Sequence, residues 1–290
     1  MRFTIVTYNM RGELWGKEQS ADFTQLIKDH SVDIVCLQEV VENQGMKKGQ
    51  EVTLVDELKE CLDGHYGSIE FLAVQSLQKS SGNVILYNKA KVFPSGSEFT
   101  KRYALLSHRS VLEELISRYL KPFRKLILSQ KFKVGANVLI IYNAHLDFYG
   151  GELNKVFQFR DFFRLWEAER RKGDLIELLV GDLNTWLPYK MLRWFRPVSI
   201  LRRFLYVSGF RDLIEDIDWT QQADFTEAEK VAEKYWLTRS FWYRFLSRYD
   251  HALKQKLDHA WGKGDFKLLS SKCLDFTGSD HFPVLVELDI

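Results

Sequence analysis

What most restricts the fold of this chain is a recurrence of short apolar runs of strand length, several of which give way to polar side chains at their ends. They are FTIVTYN (3–9), DIVCLQE (33–39), NVILYNK (83–89), NVLIIYNAHLD (137–147), DLIELLVGDLN (174–184), KLDHAWGKG (256–264) and FPVLVELDI (282–290). Segments of helical period lie between them. Phe23, Leu26, Ile27 and His30 follow the i, i+3, i+4, i+7 rule, and Leu54, Val55, Leu58 and Leu62 mark a second helix. Val111, Leu112, Leu115, Ile116 and Tyr119 predict a third, ended by Lys121-Pro122, and a fourth covers roughly Asn154 to Arg171. Strands alternating with helices predict an α/β or mixed-sheet layered domain. With no internal repeat, low-complexity tract or linker, residues 1–290 read as a single domain.

The strand ends carry the chemistry. In LLVGDLN, Leu178 to Val180 form a buried strand, and Gly181 lets the backbone turn or approach a neighbour closely. Asp182 and Asn184 then point the same way if the strand continues, because side chains alternate faces. Alone, such a pair is an ordinary turn, since Asp and Asn bond their own backbone. The same thing happens elsewhere, however. The first strand ends in Asn9, and the second is apolar until Gln38 and Glu39. A glutamate closing a buried strand is costly unless it is paired or meets a cation. Asn143, His145 and Asp147 share a face of the fourth run, Asp258 lies within the sixth, and Asp280 and His281 sit in a Gly-Ser turn before the last. Independent accidents would not all fall at strand exits.

Composition limits the context. The net charge of +2 favours no class of partner, but its distribution does: Leu183 to Phe210 holds no acid and five bases, Lys190, Arg193, Arg196, Arg202 and Arg203. Cys36, Cys61 and Cys273 are odd in number and lack metal-ligand spacing, which predicts reduced thiols and a cytoplasmic protein. The N-terminus reads as a strand and not as a signal peptide, and no apolar run approaches the ~18 residues of a membrane span.

TYN, LQE, AHLD, GDLN, LDHAW and SDH, in this order, resemble the endonuclease/exonuclease/phosphatase superfamily of DNase I-like fold, from residue 2 to residue 290. GDLNTW followed by a basic helix, with LDHAW and SDHFPVLVEL, is most similar to broadly described bacterial members of unassigned substrate. The resemblance implies a four-layer α+β sandwich, two mixed β-sheets packed face to face and flanked by helices, with the site where strand ends converge. Asn9, Glu39 and Asp280 are hard oxygen ligands suited to Mg²⁺ or Mn²⁺. His281 is the candidate general base, with Asp258 fixing its tautomer. Asp182 would orient water or contact the ion, Asn184 would donate to the phosphate, and His145 would stabilise the phosphorane or protonate the leaving oxygen. Asn143-Ala144-His145-Leu146 departs from the Tyr-x-Pro-Asn stretch of abasic-site endonucleases and resembles DNase I-like nucleases, sphingomyelinases and inositol-polyphosphate phosphatases.

The leading expectation is a nuclease acting on DNA or RNA. Its support is the pair of basic, aromatic segments 186–206 and 239–249, with Arg193, Arg196, Arg202 and Arg203 as substrate-binding residues. The alternative is a lipid or inositol phosphodiesterase or phosphatase, because the same segment 186–206 also describes a helix lying on a membrane surface. A binding module without catalysis is disfavoured by the full polar set. No obligate protein partner is evident.

Overall fold

The structure, a computed structural model, describes residues 1–10, 17–43, 53–76, 79–104, 126–146, 151–170, 175–184, 200–217, 220–224, 252–276 and 278–290. The helix expected over 111–119 lies outside these residues.

Two mixed sheets form the centre. The first runs β14 (Lys267–Cys273), β15 (Val284–Asp289), β1 (Arg2–Asn9), β2 (Ile34–Asn43), β4 (Lys79–Asn88), β3 (Tyr66–Ser76), with β1 and β2 parallel. The second runs β10 (Arg211–Asp212), β13 (Asp258–Lys263), β9 (Leu175–Asp182), β8 (Asn137–His145), β7 (Leu126–Val134), β5 (Val92–Pro94). There β8 and β9 are parallel, and β6 (Thr100–Ala104) also pairs with β7. A separate two-stranded ribbon joins β11 (Gln221–Asp224) to β12 (Ala252–Gln255).

The apolar runs are explained by burial on both faces. Ile5, Ile34 and Cys36 pack inward against Leu128, Ile141, Leu178 and Val180 of the other sheet. Their neighbours Val6, Val35 and Leu37 pack outward against Phe23, Ile27, Val55 and Leu58 of α1 (Lys17–Asp29) and α2 (Leu54–Cys61). On the far side, Ile140, Tyr142, Leu179 and Trp261 meet Phe159, Phe162, Leu201 and Leu205 of α3 (Gly151–Arg164) and α5 (Ile200–Val207), with the short α4 (Glu167–Arg170) following α3. Every second residue therefore serves a different interface, and no face of these strands is left for solvent. Helix α2 starts at Thr53, whose Oγ1 accepts from the Asp56 backbone N–H at 3.0 Å. The result is the expected four-layer sandwich.

Several strands differ from the sequence reading. The run 256–264 holds β13, which begins two residues late at Asp258, after Lys256 and Leu257 separate it from β12 of the ribbon. The single helix expected over 154–171 is α3 and α4. None of the strand-like runs covers β3, β5, β6, β7, β10, β11, β12 or β14. In β7 the apolar run is broken by buried polar Ser129 and Gln130, and β14 is an edge strand with a mostly exposed pattern. The three cysteines are free. Among the described residues no helix is long and apolar enough to cross a membrane.

Candidate active site

The strands place their polar ends in one row. Registers pair His145 with Asp182 across the parallel β8–β9 ladder and Asp258 with Asp182 across β13–β9. In the other sheet Asn9 is opposite Gln38. Side-chain contacts join the sheets at this end. Asn9 Nδ2 donates to Asp182 Oδ2 at 3.0 Å, and His145 Nε2 lies 3.3 Å from Glu39 Oε1 and 3.7 Å from Asp182 Oδ2.

Local backbone geometry aims these groups. The β2–β4 register shifts between Leu37 and Val40, and Glu39 within this bulge has φ +53°, sparse territory for a residue with a Cβ. The bulge turns the carboxylate toward His145. Gly181 has φ +128°, and a Cβ there would stand 2.0 Å from the Ala144 carbonyl oxygen, so glycine is what lets β9 lie against β8 beside Asp182. Asn184 also has positive φ, +48°. Its backbone N–H donates to Asp182 Oδ1 at 2.8 Å, its Nδ2 donates to the Leu146 carbonyl at 2.8 Å, and its own carbonyl accepts from Lys155 Nζ. Both Asp182 oxygens therefore accept hydrogen bonds, which fixes that carboxylate.

A second pair completes the row. His281 Nδ1 is 2.7 Å from Asp258 Oδ2, and both residues are buried. Burial alone would lower the imidazole pKa, but the charge of Asp258, its hydrogen bond, and the nearby Asp182 and Asp280 outweigh it and raise the pKa to about 10. Asp280 contributes charge to the same cluster, and its Oδ1 accepts from Ser279 Oγ at 3.3 Å. Among the described residues no three His, Cys, Asp or Glu side chains are grouped so as to hold a metal ion by themselves.

Beneath the site lies a set of buried amides between the sheets. Gln38 Nε2 donates to Asn143 Oδ1 at 2.7 Å and to Thr7 Oγ1 at 3.0 Å. Asn143 Nδ2 donates to the carbonyls of Leu37 and Val84, each at 2.9 Å. Asn143 thus holds the strand just before the Glu39 bulge.

The structure brings together Asn9, Glu39, His145, Asp182 and Asn184, and sets the Asp258–His281 pair beside them with Asp280. Arg193, Arg196 and Asp147 lie outside the described residues, as do most of segment 186–206 and all of 239–249. Arg202, on α5, is committed within the fold: it pairs with Glu215 at 3.0 Å and with buried Asp212 at 3.4 Å, and stacks on Tyr206. Arg203 is exposed on the same helix. The sequence reading missed Lys155 and Thr220. Lys155 had a signal, since it falls on the apolar stripe of Phe159, Phe162 and Trp166 and so on the buried face of α3. Thr220 lies in no periodic segment and had none.

Residues 6–281 match the family model described as the Endonuclease/Exonuclease/phosphatase family. Curated protein sequences gave no match. Among solved structures, an endonuclease/exonuclease/phosphatase from Bacteroides vulgatus superposes with TM-score 0.64 at 15% identity, covering 100% of this chain and 99% of that one. D. rerio TDP2 complexed with single-strand DNA product gives 0.64 at 12% identity, covering 100% and 99%. The mannosyl-6-phosphatase Bt3783 of Bacteroides thetaiotaomicron gives 0.63 at 17% identity, covering 99% and 100%. At these identities the likeness is one of fold.

Proposed function

The chain belongs to the endonuclease/exonuclease/phosphatase family, whose members are phosphoric ester hydrolases, and from that premise we propose that it is a divalent-cation-dependent phosphodiesterase acting on DNA or RNA. The observation that carries this reading is the meeting of Asn9, Glu39, His145, Asp182 and the Asp258–His281 pair at one end of both sheets.

The residues fit a hard cation. Asn9, Glu39 and Asp280 offer oxygen donors without a thiolate, and the bulge presents Glu39 at the cluster. An incomplete protein cage suits Mg²⁺ or Mn²⁺, because Mg²⁺ retains several waters and takes one or two carboxylates. When bound, the cation would neutralise phosphoryl oxygens and offset the carboxylates that keep His281 protonated.

The chain's own groups supply the rest. His281 Nε2, once neutral, takes the proton of the attacking water, while Asp258 holds the proton on Nδ1 and so fixes the tautomer. Asp182, immobilised by Asn9 and the Asn184 backbone, orients that water. Asn184 has a second amide hydrogen for a phosphoryl oxygen, and His145 faces the leaving group. Each is a preorganised polar group in a buried setting, where removal costs ~10²–10³-fold in rate.

Support for nucleic acid comes from the acid-free basic segment and from the DNA-bound neighbour; Arg193, Arg196 and Arg203 would follow phosphates, with Arg202 contributing only its share not used by Asp212 and Glu215. The free cysteines support a cytoplasmic setting. The test is hydrolysis by purified protein with Mg²⁺ of single- and double-stranded DNA, RNA, a phosphoinositide, sphingomyelin and a sugar phosphate. Cleavage of a nucleic acid, lost in His281→Ala and Asp182→Ala, is the expected result. Activity confined to the lipids or to the monoester would replace the substrate assignment, and activity undiminished by exhaustive chelation would overturn the cation.

A further inference from the structure

Asp258 is placed in an unusual way for an orienting carboxylate. One oxygen faces His281 Nδ1 at 2.7 Å, while Oδ1 is buried with no hydrogen-bond partner among the described residues. Among the described residues the side chain is therefore pinned only by the imidazole it is supposed to orient, and its aim comes from the backbone. That backbone begins a strand at Asp258, just after the break at Lys256–Leu257.

Thr220 closes the break. Its Oγ1 accepts from the backbone N–H of Leu257 at 3.0 Å and from that of Asp258 at 2.9 Å, which uses both lone pairs of the hydroxyl. Its carbonyl accepts from the N–H of Phe282 at 2.8 Å, the residue after His281. Thr220 is fully buried. One side chain and one carbonyl thus hold the segment bearing the acid and the segment bearing the base, which are otherwise separate in the chain.

We infer that Thr220 is a positioning residue for the Asp258–His281 pair, acting through the backbone of both. The inference rests on the hydrolase reading above for its effect on turnover, and on geometry alone for the tether. Thr220→Val keeps the shape but leaves two buried N–H groups unsatisfied. With a small soluble diester and Mg²⁺, kcat falls roughly 10- to 100-fold, the scale of losing an outer-shell orienting partner, while KM stays within about twofold. Thr220→Ser, which keeps the acceptor, recovers most of the loss. In an Asp258→Asn background Thr220→Val costs less than about twofold, because groups acting as one unit are not additive.

Losses that are equal in Thr220→Val and Thr220→Ser, or that add fully to Asp258→Asn, would overturn the positioning role, as would wild-type kcat in Thr220→Val. If Thr220→Val does not fold, Thr220→Ala against Thr220→Ser makes the same comparison. An inactive wild type would overturn the hydrolase reading instead. Amide hydrogen exchange then reads the tether without turnover. Faster exchange at Leu257 and Asp258 in the valine variant, whose carbonyl still accepts from Phe282, sustains it, and unchanged protection removes it.

Discussion

His281 concentrates the chemistry of the site in one ring. Its pKa, raised to about 10 against the usual 6.5, means that the cation-free protein holds an imidazolium at neutral pH. A group whose folded pKa is raised adds stability below its unfolded pKa, and that stability is lost as pH climbs from 6.5 through about 10. The stability difference between wild type and His281→Gln, measured by urea denaturation in chelator, should therefore shrink across that window. The ring signals of His281 should titrate near its upper end, and Asp258→Asn should move the midpoint down, since Asp258 is the largest favourable influence. A midpoint near 6.5 in the wild type would contradict the pairing. Asp182, by contrast, was legible from GDLN in position only: nothing in those four letters says that its two oxygens are taken by Asn9 and by the Asn184 backbone.

Among the elements, the β2 bulge matters most, because it converts a buried strand end into a presented carboxylate. Its support is Asn143, which bonds the Leu37 carbonyl from the opposite sheet. Asn143→Leu would take the side-chain donor from the Leu37 and Val84 carbonyls, each at ~1–3 kcal/mol for a buried group left unsatisfied, while Gln38 Nε2 keeps Thr7 Oγ1. Expected are a lower denaturation midpoint and a weaker apparent affinity for Mg²⁺, read from activity against cation concentration. Stability lost with cation affinity unchanged would mean that the amides hold the sheets together but not the bulge. The strand-like runs located β1, β2, β4, β8, β9, β13 and β15, most of them because the strands are buried on both faces and so keep continuous apolar runs. It missed β7, where buried Ser129 is satisfied by Trp166 Nε1 at 2.9 Å, since a satisfied polar core residue looks the same in sequence as an exposed one.

For the whole molecule, binding of the proposed cation would be linked to folding, because the proposed donors come from strands far apart in the chain. A ligand that binds only the folded state stabilises it by about 2.7 kcal/mol at one hundred times its Kd. Mg²⁺ should accordingly raise the thermal midpoint of the wild type, and Glu39→Gln should lose most of the rise at the same concentration. An equal shift in both proteins would place the cation elsewhere. By itself the sequence determined the strands buried on both faces, the layered class, and the polar identity of those strands' exits, since these depend on local period and on residues adjacent in the chain. Tertiary structure alone decided which exits meet. Asn9 and Asp182 are 173 residues apart, and Gln38 and Asn143 are 105 apart. Their contacts follow from strand register and from how one sheet is set on the other, and a one-residue slip would send every such side chain to the opposite face.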